Sequence, residues 1–243
     1  VGALWILRFL TGKKTILKLK RANMKLIPNI ILPCLGLGVS TFVMLSTESI
    51  LSISFTSSLA KFGGDVAVGA MTVLTSINQL MTMPLSGICQ GGQPLISFNY
   101  GARKLDRVKE AFFCQFGVCV AYTTIFWAAM MCFPNVFAGI FTSDMALVDY
   151  TAWAIRIFLA CGFSVGFQIS CQQAFMALGQ AKISLIMALL RKVFLLIPLI
   201  FVLPLFFAPE NKAFAVFLAE PVSDVIAAAV TTFMFFRFFI RML

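Results

Sequence analysis

Six ionisable side chains lie inside long apolar stretches of this sequence, where a charge is costly. They are Glu48, Arg156, Arg191, Lys192, Glu220 and Asp224. A charge at the centre of a bilayer costs about 2.5–3.5 kcal/mol on insertion scales, and such side chains usually face a helix-bundle interior or a wet cavity. Each of the six is therefore a candidate for a functional role.

Glu48 is the candidate for binding a proton or a small cation. Ser46, Thr47 and Ser49 flank it, and further hydroxyl residues follow as far as Ser58. A carboxylate in an apolar span that is surrounded by hydroxyls can hold a proton or a cation such as Na⁺, because burial disfavours its free charged form. The alternative is a protonated structural glutamate in a helix contact.

Glu220 and Asp224 are four residues apart, so they share one face of a helix, where two negative charges repel. Arg156 and Glu220 both lie roughly 11–14 Å deep from the same side, at a rise of about 1.5 Å per residue. We therefore predict an ion pair between Arg156 and one of these acids. Arg191 and Lys192 can extend to the nearer membrane interface, which favours a structural role for both.

Amide side chains form a second polar set inside the apolar stretches. The set comprises Asn78, Gln79, Gln168, Gln172 and Gln173. Amides in lipid-buried helices either hold helices together or line a substrate path. Both readings stay open, and the five amides are candidates for a substrate cavity.

The residue types exclude most catalytic chemistry. The sequence contains no histidine, which argues against most zinc enzymes and against Ser-His-Asp or Cys-His catalysis. Its seven cysteines lie in or beside apolar runs and form no CxxC pair, which indicates buried structural thiols. We predict a protein that is not an enzyme and needs no cofactor.

The composition predicts an all-α integral membrane protein. Hydrophobic residues make up 60% of the 243 residues and charged residues 12%, whereas an average soluble domain is about 25% charged. The apolar residues form runs long enough to cross a bilayer, which takes about 20 residues each. Six spans are predicted, at about 30–60, 66–95, 107–133, 147–178, 183–206 and 213–238.

The basic residues predict the orientation of these spans. Fourteen lysines and arginines lie at one set of span ends, whereas only Lys61 and Lys212 lie at the opposite ends. Cytoplasmic loops carry such an excess, so both chain ends are predicted to be cytoplasmic. The net charge of +10 is thus assigned to contact with membrane lipid and not to nucleic acid.

The first 29 residues differ from the rest. Residues 1–10 read as the tail of a helix whose start is missing, so we interpret the chain as a fragment of a longer protein. Residues 11–29 predict an amphipathic linker on the anionic cytoplasmic leaflet, with a solvated basic loop as the alternative. Basic residues recur at helical spacing in this linker, at Lys14, Lys18, Arg21 and Lys25.

A motif at the end of the second span carries a family resemblance. From Gln90 to Ala102 the sequence reads QGGQPLISFNYGA. It resembles the Q-G-x-Q-P-x-I-x-x-N-Y-G-A signature of MATE (multidrug and toxic compound extrusion) transporters, and it looks like the DinF-like bacterial branch. The matching positions include Gln90, Gly91, Gln93, Pro94, Asn99, Tyr100 and Gly101.

The resemblance implies an architecture and a function. Members have twelve helices in two six-helix lobes, so residues 30–243 would be the C-terminal lobe, and an absent N-terminal lobe would be its partner. The implied activity is export of drugs or organic cations in exchange for H⁺ or Na⁺, by alternating access between the lobes.

The resemblance also implies a role for Glu48. This residue matches the helix-seven glutamate that is linked to cation coupling in NorM-type members. Those members carry an aspartate in helix ten as well, whereas the corresponding span here contains Gln168, Gln172 and Gln173.

Three alternatives stay open. The first is a flippase of the same superfamily for lipid-linked oligosaccharides, which would need cavity cations to hold pyrophosphate; Arg156 is the main candidate. The second is a membrane enzyme, and the third is a structural membrane subunit.

Overall fold

The computed structural model describes the backbone of residues 5, 8–9 and 28–242. The side chains at 29–30, 32–41, 43–45, 181 and 240–242 lie outside this description. The predicted helix tail and basic linker therefore fall almost entirely outside the described residues. The chain forms two compact units, Val1–Val43 and Met44–Leu243, and the account below concerns the second.

The described residues are mostly helical and include no strand, which confirms the predicted all-α class. The helices are α1 (Pro28–Gly101), α2 (Leu105–Cys132), α3 (Pro134–Gly139), α4 (Met145–Phe158), α5 (Ser164–Ala177), α6 (Ala181–Leu189), a π-helical segment (Leu190–Leu196), α7 (Ile197–Phe206), a 3-10 turn (Pro209–Asn211) and α8 (Lys212–Met242). Within the described residues, four helical stretches are long and apolar enough to cross a membrane: Ser46–Gly101, Leu105–Cys132, Lys182–Phe206 and Pro209–Phe239.

Helix α1 reverses direction at Gly64. This residue has φ 65° and ψ −165°, a conformation outside the helical region that glycine adopts without steric cost. Glu48 before it and Ser86 after it line one cavity, so residues 44–63 and the part after Gly64 run side by side. We call them the first arm (44–63) and the second arm (65–101); the predicted span 66–95 falls on the second arm, and the predicted span 30–60 includes most of the first.

The predicted span 147–178 is not one continuous helix, which corrects the sequence interpretation. Helix α4 ends at Phe158 and α5 begins at Ser164, each with 14 residues, fewer than the about 20 that cross a bilayer alone. The indole Nε1 of Trp127, on α2, donates a hydrogen bond to the Leu159 carbonyl at 2.9 Å. This donor satisfies a backbone carbonyl at the break in the helix. Hydropathy alone does not reveal such a contact.

Two apolar clusters hold the helices together. In the first, the ring of Phe55 on the first arm contacts that of Phe158 on α4, with centroids 5.9 Å apart. In the second, Phe235 of α8 packs against Phe112 of α2 and Phe175 of α5, at centroid distances of 4.6 and 5.0 Å. Such aromatic pairs contribute about 0.5–1.5 kcal/mol beyond burial of their area. They fix the position of α8, which carries two of the intramembrane acids.

Candidate functional site

A cavity of about 880 Å³ opens between the two arms of α1, α5, the π-helical segment and α8. Ligand pockets for drug-sized molecules have volumes of about 300–1,000 Å³. Apolar side chains such as Phe55, Met71 and Phe158 form part of its wall, and polar side chains form the rest. The cavity therefore has the size and mixed lining of a small-molecule site.

All five amides that the sequence singled out line this cavity. Asn78 and Gln79 reach it from the second arm, and Gln168, Gln172 and Gln173 reach it from α5. Gln168 is buried, and its Oε1 has no hydrogen-bond partner among the described residues. The structure thus brings together two amide groups that are about 90 residues apart in the chain.

Hydroxyl groups on the second arm form one wall of the cavity. Thr72, Thr75, Ser76 and Thr82 each donate a hydrogen bond to the carbonyl four residues earlier, at 2.8–3.2 Å. A hydroxyl has one proton to donate and two lone pairs to accept with. Because these protons are bound to the backbone, this wall offers mainly acceptor oxygens to the cavity.

The hydroxyl wall was missed in the sequence, although a signal existed. Polar residues recur on the second arm at intervals of three or four positions, which places them on one helix face. The positions are Thr72, Thr75, Ser76, Gln79, Thr82 and Ser86.

Glu48 lies in the cavity wall and contacts a lysine. Its Oε1 forms an ion pair with the Lys192 Nζ, which comes from the π-helical segment. The Glu48 side chain is 57% exposed and that of Lys192 19%, so the pair borders open space. The structure differs from the expected reach of Lys192 toward a membrane interface: its ammonium group lies against the candidate coupling carboxylate.

Arg191 forms the second ion pair of the site. Its Nη2 donates to the Glu220 Oε1 at 2.9 Å, and its Nε donates to the Asp224 Oδ1 at 2.7 Å. Glu220 and Asp224 are 5% and 4% exposed. A buried charge is tolerated only when it is paired and hydrogen-bonded, and the guanidinium group meets both conditions for these two acids.

The predicted ion pair between Arg156 and these acids is corrected by the structure. Arg156 is exposed on α4, and no ion pair of Arg156 occurs in the part of the chain that the structure describes. The depth of a residue in the membrane does not determine the direction in which its side chain points. Arg191, from another helix, occupies the position that was assigned to Arg156.

The π-helical segment explains how Arg191 and Lys192 both reach acids. One extra residue per turn changes which side chains face the bundle, and such segments are frequent at functional sites. Pro198 follows the segment and has no N–H to donate to the Phe194 carbonyl, which favours a widened helix there. Two consecutive residues thereby pair with acids on different helices: Arg191 with α8 and Lys192 with the first arm.

The family-signature residues lie at the end of the second arm, and none is among the described residues that line the cavity. Within this stretch, Gly92 packs against the side chain of Gln115 on α2; a Cβ at this position would lie 3.0 Å from the Gln115 Cδ. The Asn99 Nδ2 donates to the Leu95 carbonyl at 2.8 Å. These contacts fit a helix-packing role.

The site contains carboxylates but no cluster of metal ligands among the described residues. Among the described residues, no group of three or more His, Cys, Asp or Glu side chains is placed to hold a metal ion. A monovalent cation at Glu48 needs no such cluster, because carboxylate and hydroxyl oxygens suffice as ligands for hard cations.

A large part of the chain matches one known protein family. The MatE family model matches residues 40–202. The multidrug export protein MepA of Staphylococcus aureus (strain N315) is 23% identical over 206 residues, which cover 84% of this chain and 44% of that protein. MepA of Staphylococcus saprophyticus is 22% identical over 233 residues, which cover 93% of this chain and 50% of that protein.

Solved structures of similar fold cover nearly the whole chain. A structure of the MATE multidrug transporter DinF-BH has a TM-score of 0.79 and 31% identity, over 98% of this chain and 52% of that one. A MATE protein in the bent conformation has a TM-score of 0.85 and 17% identity, over 99% of this chain and 53% of that one. The chain spans about half the length of the relatives it matches.

Proposed function

The chain belongs to the MATE family of membrane transporters, and from that premise we propose that it forms the C-terminal lobe of an antiporter that exports drugs or organic cations. The observation that carries this proposal is the cavity of about 880 Å³, whose wall combines Glu48, five amides and acceptor hydroxyls. Such a lining supplies many acceptor oxygens, which suit positively charged or donor-rich guests. The apolar helices make the chain a multi-pass membrane protein, and its relatives are transporters rather than enzymes.

We assign the coupling role to Glu48, with H⁺ or Na⁺ as the coupling ion. A proton on this carboxylate removes its charge and so weakens its ion pair with Lys192. The pair joins the first arm of α1 to the π-helical segment, so its loss frees two helices relative to each other. A cation arriving at Glu48 would have the same effect by competition.

The charges of the cavity support export over the flippase alternative. A pyrophosphate-linked substrate needs cations that are free to bind it. Arg191 and Lys192 line the cavity, but both are already paired with carboxylates, and Arg156 is not among the described lining residues. The cavity is thus poorly suited to a strongly anionic group.

The orientation and partners are part of the same proposal. Fourteen of the basic residues flank one set of span ends, which supports a cytoplasmic location of both chain ends in a bacterium. The proposed partners are membrane lipid, a drug or small organic cation, and an N-terminal lobe that would close the cavity from its other side.

Transport in proteoliposomes tests the proposal. The full-length protein should move tetraphenylphosphonium against its gradient when a proton or sodium gradient is applied. Glu48→Gln should abolish the dependence on the gradient, since the amide cannot take up a proton or pair with a cation. Glu210→Gln, the same change at an exposed position on the turn Pro209–Asn211, should transport normally. Unchanged coupling in Glu48→Gln would remove the role assigned to this residue.

A further inference from the structure

We propose that Lys192 is a built-in cation that occupies the Glu48 carboxylate in the empty cavity, so that a transported or coupling cation binds only by displacing it. This inference rests on the proposed function and adds a residue that determines specificity. It accounts for an ammonium group that lines the cavity of a protein whose family relatives are named for multidrug export. The ligand class that follows is a monovalent cation, organic or Na⁺.

The geometry of the pair permits exchange. The ammonium group contacts one oxygen of Glu48 at the wall of an open cavity, and the carboxylate is more than half exposed. A guest in the cavity can therefore approach Glu48 without unfolding a helix. Exposed ion pairs of this kind are weak, which makes them suitable for reversible displacement.

The neighbouring Arg191, in contrast, is held firmly by its partners. Its guanidinium group holds two carboxylates at once, and its partners Glu220 and Asp224 are almost fully buried. The planar guanidinium fork fixes several hydrogen bonds, whereas the lysine ammonium is a point charge on a flexible stem. Of the two adjacent cations, Lys192 is the one able to move.

Glu220 is a second carboxylate on the cavity wall that Lys192 lines. Its Oε2 is buried without a hydrogen-bond partner in the described part of the chain. Arg191 already uses the other oxygen of Glu220. The negative charge of Glu220 therefore helps to keep the Lys192 ammonium at the site when a guest takes Glu48.

The charge balance of the site fits a guest with a single positive charge. The group contains two cations, Arg191 and Lys192, and three acids, Glu48, Glu220 and Asp224. With all five ionised the empty site has a net charge of −1, and one bound monovalent cation makes it neutral. A low-dielectric site favours neutrality, so it should favour monovalent over divalent guests.

Equilibrium binding of tetraphenylphosphonium to the purified full-length protein tests the inference. Lys192→Gln should bind the probe about fivefold more tightly than the wild type, as expected when an exposed ion pair no longer competes. Lys192→Arg should bind the probe no more tightly than the wild type, because it keeps the tethered charge and its guanidinium fork holds the carboxylate at least as firmly. Lys182→Gln is the matched control: it removes the same charge from an exposed position on α6 that is not among the described cavity-lining residues.

A double variant separates displacement from simple repulsion. In a Glu48→Gln background, Lys192→Gln should give no further gain, because the carboxylate that the lysine blocks is absent. In a parallel experiment, NaCl should compete with the probe more strongly in Lys192→Gln than in the wild type if Na⁺ also uses the site. Lys192→Met serves as a second variant if the glutamine form unfolds.

The outcomes are distinguishable from failure of the proposed function. If the wild type transports the probe but Lys192→Gln binds it no more tightly than Lys182→Gln does, only this inference is overturned. A gain that persists in the double variant overturns it as well. If the wild-type protein neither binds nor moves the probe, the proposed function fails and this inference fails with it.

Discussion

Gly166 of α5 packs directly against Thr123 of α2. A Cβ at position 166 would lie 3.2 Å from the Thr123 Cβ and 3.1 Å from the Cys119 carbonyl oxygen. The carbonyl belongs to the backbone of α2 and cannot rotate away. Small residues allow such close approach between helices in membranes, where apolar burial drives association little.

Gly166→Ala should therefore destabilise the protein. Forcing an added methyl into a packed contact costs about 1–3 kcal/mol. Thermal unfolding of the purified protein in detergent measures the effect. Gly87→Ala is the control, because a Cβ there would meet no described atom within 4 Å; equal melting temperatures for the two variants would contradict the prediction.

Arg191→Met should be more damaging. It would leave Glu220 and Asp224 buried one helical turn apart without a counter-charge, and breaking a buried ion pair on one side costs about 3–5 kcal/mol. Adding Glu220→Gln and Asp224→Asn should restore most of the lost stability. Arg156→Met, at an exposed position, should change stability by no more than about 0.5 kcal/mol.

Gln168→Leu should separate binding from stability. The Gln168 Oε1 is buried without a partner in the described structure, so replacing the amide with an apolar group should leave the free energy of unfolding nearly unchanged. Loss of this polar side chain from the cavity lining should weaken binding of tetraphenylphosphonium by about two- to tenfold. Gln90→Leu, exposed and outside the described lining, should leave binding unchanged. A large loss of stability without a change in binding would show that Gln168 is structural.

Trp127→Phe should destabilise the turn between α4 and α5. The variant keeps an aromatic ring but removes the N–H that donates to the Leu159 carbonyl, which should cost about 0.5–1.5 kcal/mol. Hydrogen exchange at residues 159–163 should rise more than exchange elsewhere in α4 and α5. Uniform protection across both helices would contradict this role for the indole.

The fold class could be predicted from the sequence because membrane spans are recognisable by their length, their hydropathy and the basic residues at their ends. The sequence predicted one span that ends near residue 60 and another that begins near residue 66, and the chain reverses between them at Gly64. The interruption after Phe158 was not foreseen, because it depends on Trp127 from another helix. The hydropathy of the residues after Phe158 would be the same in an uninterrupted helix as in a turn that a distant donor stabilises.

The candidate site was only partly predictable. The amides were identified because buried amides are unusual by type, and the structure places all five on one cavity. The ion pairs were assigned wrongly because helix depth does not give the direction of a side chain, and the π-helical segment changes that direction for Arg191 and Lys192. Pairing across 144 residues, as for Lys192 and Glu48, is a property of the packed bundle.

The hydroxyl wall of the second arm has a consequence for medicinal chemistry. Its protons are held by the helix backbone, so the oxygens that face the cavity act as acceptors and suit a guest with a positive centre or N–H donors. Scaffolds of very different outline should be accepted alike, provided that each presents a positive centre. Under the proposed export function, a drug would then avoid transport by masking its amine as an amide or a carbamate, whereas enlarging its rings would gain little.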